Sequence, residues 1–182
     1  TGVPSGELES TVQQYQYNAA YINTSLKANT AKFAMMNYSE LQFILAEACL
    51  RGYLPVANAE NYYKKGVEAS LLEWGCTQSE VSLFLNGANV AFPSSGTVQE
   101  KLERVMMQKY ISLFFVGFES WSDYRRTGLP VLPKGSALMN DGILPTRLTY
   151  PTSEQSTNRT NWQQAVKEQG EDNMKTTIWW AK

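Results

Sequence analysis

Asn37-Tyr38-Ser39-Glu40-Leu41-Gln42-Phe43-Ile44-Leu45-Ala46-Glu47-Ala48-Cys49-Leu50-Arg51-Gly52 is the stretch that decides the fold class. The polar cap Asn37 stands three residues ahead of Glu40, whose carboxylate can return to the cap's N–H, so a helix is expected to start here. Leu41, Ile44, Leu45 and Ala48 then recur at helical spacing and predict one apolar stripe. Gly52 is placed to end the helix with positive φ, and Pro55 follows as a stop.

The same pattern repeats downstream. Residues 57–74 put Tyr63, Val67, Leu71 and Trp74 on one face and close at Gly75, so two amphipathic helices are expected a short turn apart. Such a hairpin cannot bury both stripes by itself and invites stacking on further helices, in the manner of tetratricopeptide arrays. Thr77 with Glu80, and Thr97 with Glu100, have capping-box spacing. The first predicts a short helix through Val81, Phe84 and Leu85, ending at Asn86-Gly87. The second predicts a long helix toward Gly117, with Leu102, Val105, Met106, Tyr110 and Leu113 as its stripe. Residues 118–126 can continue helically to a stop at Gly128 and Pro130.

The flanks read differently. Residues 1–32 are rich in Gly, Ser, Asn, Gln and Thr, which predicts a long irregular surface segment. Residues 129–157 contain Pro130, Pro133, Pro145 and Pro151, so loops or extended strands replace helices there. A short helix over 162–169 precedes Gly170, and Ile178-Trp179-Trp180 reads as a tail docked on the body. The expected fold class is all-α: helix pairs with irregular loops and a Pro-rich C-terminal segment. Residues 33–128 form the helical core of a single domain spanning 1–182.

Composition narrows the function classes. The chain has 182 residues, 43% of them hydrophobic and only 18% charged, enough apolar material for a packed core without disulfide or metal staples. With 16 Lys+Arg against 17 Asp+Glu there is no broad positive field, which argues against nucleic acid as a partner. The absence of His removes Ser-His-Asp, Cys-His and His-ligated metal chemistry, and Cys49 and Cys76 lack the clustered spacing of a zinc site. No cofactor or metal is therefore expected. No run of about 18 apolar residues is present to span a membrane as a helix. The N-x-[ST] triplets at Asn23, Asn37 and Asn158 read as caps and turns, and Asp141-Gly142 as a turn rather than a calcium loop.

Two constellations carry possible chemistry. Glu119 and Asp123 stand four apart, the spacing that puts two carboxylates on one helix face, and paired carboxylates can cleave a glycosidic bond. Arg125 and Arg126 lie beside them, which favours charge pairing within the fold over catalysis. Tyr15, Tyr17 and Tyr21 sit among Asn and Gln in the polar N-terminal segment. Their rings either stack on sugar faces while the amides bond hydroxyls, or anchor the segment to the helical body. Trp74 and Trp121 fall on helix stripes and are expected in the core.

Several stretches resemble the SusD/RagB family of surface nutrient-binding lipoproteins, in its SusD-like branch. Residues 37–48 are similar to the family's S-E-x-x-F-x-x-A-E-A helix, and Gln108-Lys109-Tyr110-Ile111-Ser112-Leu113-Phe114 resembles its Q-K-Y-I-A-L-F block. Glu119-Ser120-Trp121-Ser122-Asp123-Tyr124-Arg125-Arg126-Thr127-Gly128-Leu129-Pro130 is similar to E-x-W-x-D-x-R-R-T-G-x-P. Pro145-Thr146-Arg147-Leu148-Thr149-Tyr150-Pro151 with Glu154, Asn158 and the closing Trp179-Trp180 follow the order of the final segment.

The resemblance implies tetratricopeptide-like helix pairs and a non-catalytic protein that captures an oligosaccharide or other small nutrient at the outer-membrane surface. It implies a TonB-dependent SusC-like transporter as partner, and it casts Glu119, Asp123, Arg125 and Arg126 as architecture. Family members are longer and begin with a signal peptide and a lipidated Cys, so the chain looks like a C-terminal portion. Self-association is then expected where helix stripes are left uncovered. The competing reading is a structural or protein-docking helical module without its own ligand site.

Overall fold

Eight α-helices carry the computed structural model, which describes residues 6–15, 20–31 and 34–181, and no strand forms among the described residues. They are α1 (Glu9–Tyr15), α2 (Tyr38–Leu50), α3 (Ala59–Glu73), α4 (Gln78–Leu85), α5 (Val98–Ser112), α6 (Gly117–Thr127), α7 (Thr152–Thr157) and α8 (Arg159–Gln169). The all-α expectation is met. The chain divides into two compact units, one of residues 32–124 and 128–130, the other of residues 1–31, 125–127 and 131–182.

In the 32–124 unit the caps form where the sequence puts them. Thr77 and Thr97 each accept the backbone N–H of the Glu three residues on, and each Glu returns to the Thr N–H, holding the Glu80 and Glu100 carboxyls below their ordinary range. Asn37 accepts from the Glu40 N–H at 2.9 Å, but Glu40 does not complete the box: its carboxylate is buried. Gly52 and Gly75 follow α2 and α3 at φ 81° and 86°, left-handed positions that cost glycine no Cβ clash. Gly128 closes α6 in the same way at φ 71°.

α2 packs along α3 and across α5, and α3 also meets α4 and α5. The core between them is built on Phe43, Ala46, Cys49, Tyr63, Val67 and Val105. On α2 this overturns the expected stripe, since Leu41 and Ile44 are exposed while Phe43, Ala46, Glu47 and Leu50 face inward. The helix is apolar nearly all round, so spacing alone does not select a face. On α5, Leu102, Val105, Met106 and the following Leu113 are buried as expected, but Tyr110 is exposed and Lys109 is buried instead. The break after α5 falls at residues 113–116, with Phe115 in the left-handed region at φ 71°, ahead of Gly117. Trp74, expected in the core, is 49% exposed and meets the Phe114 ring edge-on at 6.0 Å. Cys49 and Cys76 are both free thiols.

In the other unit, helices appear where loops were expected. α1 lies in the segment read as irregular, and it buries no residue, which is why its stretch shows no stripe. α7 lies within the Pro-rich stretch and starts straight after Pro151, its N-cap residue. Asn158, at the C-terminus of α7 and the N-terminus of α8, donates to Glu154 at 2.8 Å. The unit is centred on Asp172: its Oδ1 accepts from Arg147 Nη2 and from the Tyr150 N–H, both at 3.0 Å, and its Oδ2 accepts from Trp162 Nε1 at 3.1 Å. At the tail Ile178 is buried, and the Arg125 guanidinium lies 4.8 Å from the Trp180 ring.

The tight α2–α3 contact yields a test. A Cβ added at Gly66 on α3 would stand 2.9 Å from the Phe43 ring. Overpacking of about 1–3 kcal/mol outweighs the roughly 1 kcal/mol that Ala gains over Gly in a helix. Gly66→Ala is expected to destabilise the protein by about 1 kcal/mol in urea unfolding. A more stable variant would contradict this packing.

Candidate functional site

Three places gather the residues with chemistry. The first is the charged cluster of α2, α5 and α6. Lys109 Nζ stands 2.6 Å from Asp123 Oδ2, with the two side chains only 6% and 14% exposed. A buried ammonium needs such a partner, because an uncompensated charge in the interior costs several kcal/mol. Glu40 completes the group. Burial pushes its carboxyl above the ordinary 4.5, Lys109 opposes that, and Glu119 and Asp123 add to it. Asp123 is thereby an ion-pair partner of α5, as the architectural reading of the motif expects.

The second is an open groove of about 660 Å³ lined by Met35, Phe115, Val116, Phe118, Glu119 and Trp121, with Ala34 and Gly117. Trp121, expected in the core, is half-buried and lines this groove. Glu119 is the one charged residue among the described residues of the lining. Of the two carboxylates, Glu119 borders the groove and Asp123 is held by Lys109. Sequence reasoning missed the groove, and the only local sign of it is the run of aromatic residues from Phe114 to Phe118.

The third is the N-terminal tyrosine set. Tyr15 ends α1 and is half-buried, whereas Tyr21 is 88% exposed. Tyr17 lies outside the described residues. Among the described residues no group of three or more Cys, Asp and Glu could hold a metal ion, and no helix is long and apolar enough to cross a membrane.

A family profile described as starch-binding and associating with the outer membrane matches residues 1–151. The chain belongs to this SusD-like family. Solved SusD-like structures repeat the fold. A SusD homolog from Bacteroides fragilis is 28% identical with a TM-score of 0.81, covering 97% of this chain and 41% of its own. A SusD homolog from Bacteroides vulgatus is 26% identical with a TM-score of 0.76, covering 92% and 39%. A chitin-binding SusD homolog from Flavobacterium johnsoniae is 28% identical with a TM-score of 0.71, covering 81% and 36%. The chain thus spans well under half the length of these SusD homologs. No curated protein matches it.

Glu40 supplies a pH test of the cluster. A carboxyl whose folded value is raised binds its proton more readily folded than unfolded, so its contribution to stability is greatest at low pH and is lost as pH rises from 4.5 through the raised value. Glu40→Gln removes that loss. The stability of the variant relative to the parent is expected to rise with pH over this window, measured by denaturant unfolding at several pH values. A difference that is flat or falls with pH would show that Glu40 is not desolvated.

Proposed function

We propose that this chain is the helical, C-terminal part of a surface nutrient-binding lipoprotein that captures an oligosaccharide at the outer membrane and hands it to a TonB-dependent SusC-like transporter. The observation that carries this reading is the match over residues 1–151 to a family described as starch-binding and associating with the outer membrane. A chitin-binding homolog of the same fold supports a saccharide ligand. The role is non-catalytic: of the two carboxylates suited to glycoside cleavage, Asp123 is engaged by Lys109.

The ligand contacts we assign are Tyr15, Tyr17 and Tyr21. Sugar rings present apolar C–H faces, which flat aromatic rings cover while neighbouring polar groups bond the hydroxyls. The 88% exposure of Tyr21 supports that use. A second reading, a docking module without its own ligand site, is favoured by the exposed aromatic corner formed by Phe114, Phe115 and Phe118.

A calorimetric and glycan-array screen of starch and chitin oligosaccharides separates the two. Binding is expected, with Tyr21→Ala and Tyr15→Ala each weakening it about tenfold, equivalent to roughly 1.4 kcal/mol. Binding unchanged in both variants would move the site elsewhere, and no binding by a folded sample would favour the docking module.

A further inference from the structure

We propose that Glu7 and Gly135 are positioning residues for the saccharide site: they form a clasp that fixes α1, and with it the Tyr15 ring, on the turn at 135–138. This inference rests on the reading of Tyr15 as a ligand contact. Both sides of the clasp belong to the same compact unit. Gly135 opens a turn that closes with the Leu138 N–H donating to its carbonyl at 3.2 Å. The two N–H groups inside the turn are both taken by the N-terminal segment. The Ala137 N–H donates to the Gly6 carbonyl at 2.9 Å, and the Ser136 N–H and Oγ–H both donate to Glu7 Oε2, at 3.4 and 3.0 Å. At this crossing the two backbones touch. A Cβ at Gly135 would stand 2.2 Å from the Gly6 carbonyl carbon and 2.4 Å from the Glu7 nitrogen, and one at Gly6 would stand 2.9 Å from Leu138 Cβ. Only residues without a side chain let the segments come so close.

α1 needs such a clasp. A seven-residue helix is marginal in water on its own, because its first turn fixes several dihedrals for one hydrogen bond. Packing does not supply the difference: α1 buries no residue and is not among the closely packed helix pairs of the described residues. Leu8 and Val12, four apart along its apolar side, remain 56% and 37% exposed. The clasp ends directly where the helix begins, since the Leu8 carbonyl next to Glu7 already accepts the Thr11 and Val12 N–H groups, both at 2.9 Å. Tyr15 closes the same helix, roughly 10 Å further along at about 1.5 Å per residue. A shift at residue 7 is thereby carried to the ring as through a short rod. Glu7 is the stronger part of the clasp, because hydrogen bonds to an ionised carboxylate are about twice as strong as neutral ones. A ring held in place before the ligand arrives has less freedom to lose on binding, so a clasped α1 binds more tightly than a loose one.

Hydrogen exchange read by mass spectrometry, together with calorimetric titration of starch and chitin oligosaccharides, tests this on the full chain. The α1 amides are expected to exchange at least about fivefold faster in Glu7→Ala and in Gly135→Ala than in the parent. Glu7→Gln, which keeps an oxygen acceptor, is expected to recover most of that protection. Saccharide binding is expected to weaken several-fold in Glu7→Ala, and the combined Glu7→Ala/Tyr15→Ala variant to bind no more weakly than Tyr15→Ala alone, because the clasp acts through that ring. Unchanged exchange of α1 in both single variants would overturn the proposal. So would faster exchange with unaltered saccharide affinity, or losses in Glu7→Ala and Tyr15→Ala that add in full. A parent chain that binds no oligosaccharide would overturn the ligand reading of Tyr15 instead, and the exchange result would still decide whether the clasp holds α1.

Discussion

The ion pair between Lys109 and Asp123 is the constraint on which the arrangement of α6 beside the helical core depends. α6 contributes no fully buried residue, and it is not among the closely packed helix pairs of the described residues. A charge contact at 2.6 Å between two side chains that are largely shielded from water joins it to α5. Such a contact is costly to break, because the Lys109 ammonium sits in a poorly solvated place. Glu40 on α2 feels the same ammonium, so three helices share one cluster. The groove walls from Phe118 to Trp121 sit on α6, and their position follows from that tie.

The other unit uses the same device. Arg147 and Asp172 are both buried, and Asp172 also takes the Tyr150 and Trp162 N–H groups, so one carboxylate orders a Pro-rich loop and α8. Stacking of the Arg147 guanidinium over the Tyr150 ring at 5.1 Å adds to the arrangement. Few apolar residues of this unit are buried, and specific polar contacts take the place of a large core. Lys109, Asp123, Arg147 and Tyr150, all within stretches that resemble the SusD-like family, take part in these contacts.

Local signals in the sequence were legible because their physics is local. Both Thr-x-x-Glu boxes, the glycine stops at 52, 75 and 128, and the cap at Asn37 are decided within a few residues. Facing was harder. α2 is apolar on every side, so its buried face is marked by the family-like residues Ser39, Glu40, Phe43, Ala46 and Glu47 rather than by periodicity. Lys109 displaced Tyr110 from the interior because its charge has a partner waiting on α6, a fact that no window of α5 contains. The groove was illegible for a similar reason, since it joins residues 34–35 to 115–121 across the chain. Tyr15 and Tyr21 could be proposed from composition alone, but only the structure distinguishes a half-buried ring from an open one.

The Lys109–Asp123 contact acts as a unit in holding α6. A double-mutant cycle with Lys109→Met, Asp123→Asn and the combined variant, followed by urea unfolding, measures this directly. Each single change is expected to cost about 3–5 kcal/mol, and the pair to cost at least ~2 kcal/mol less than their sum. Costs that add to within about 0.5 kcal/mol would show the two groups to be independent and would contradict the account.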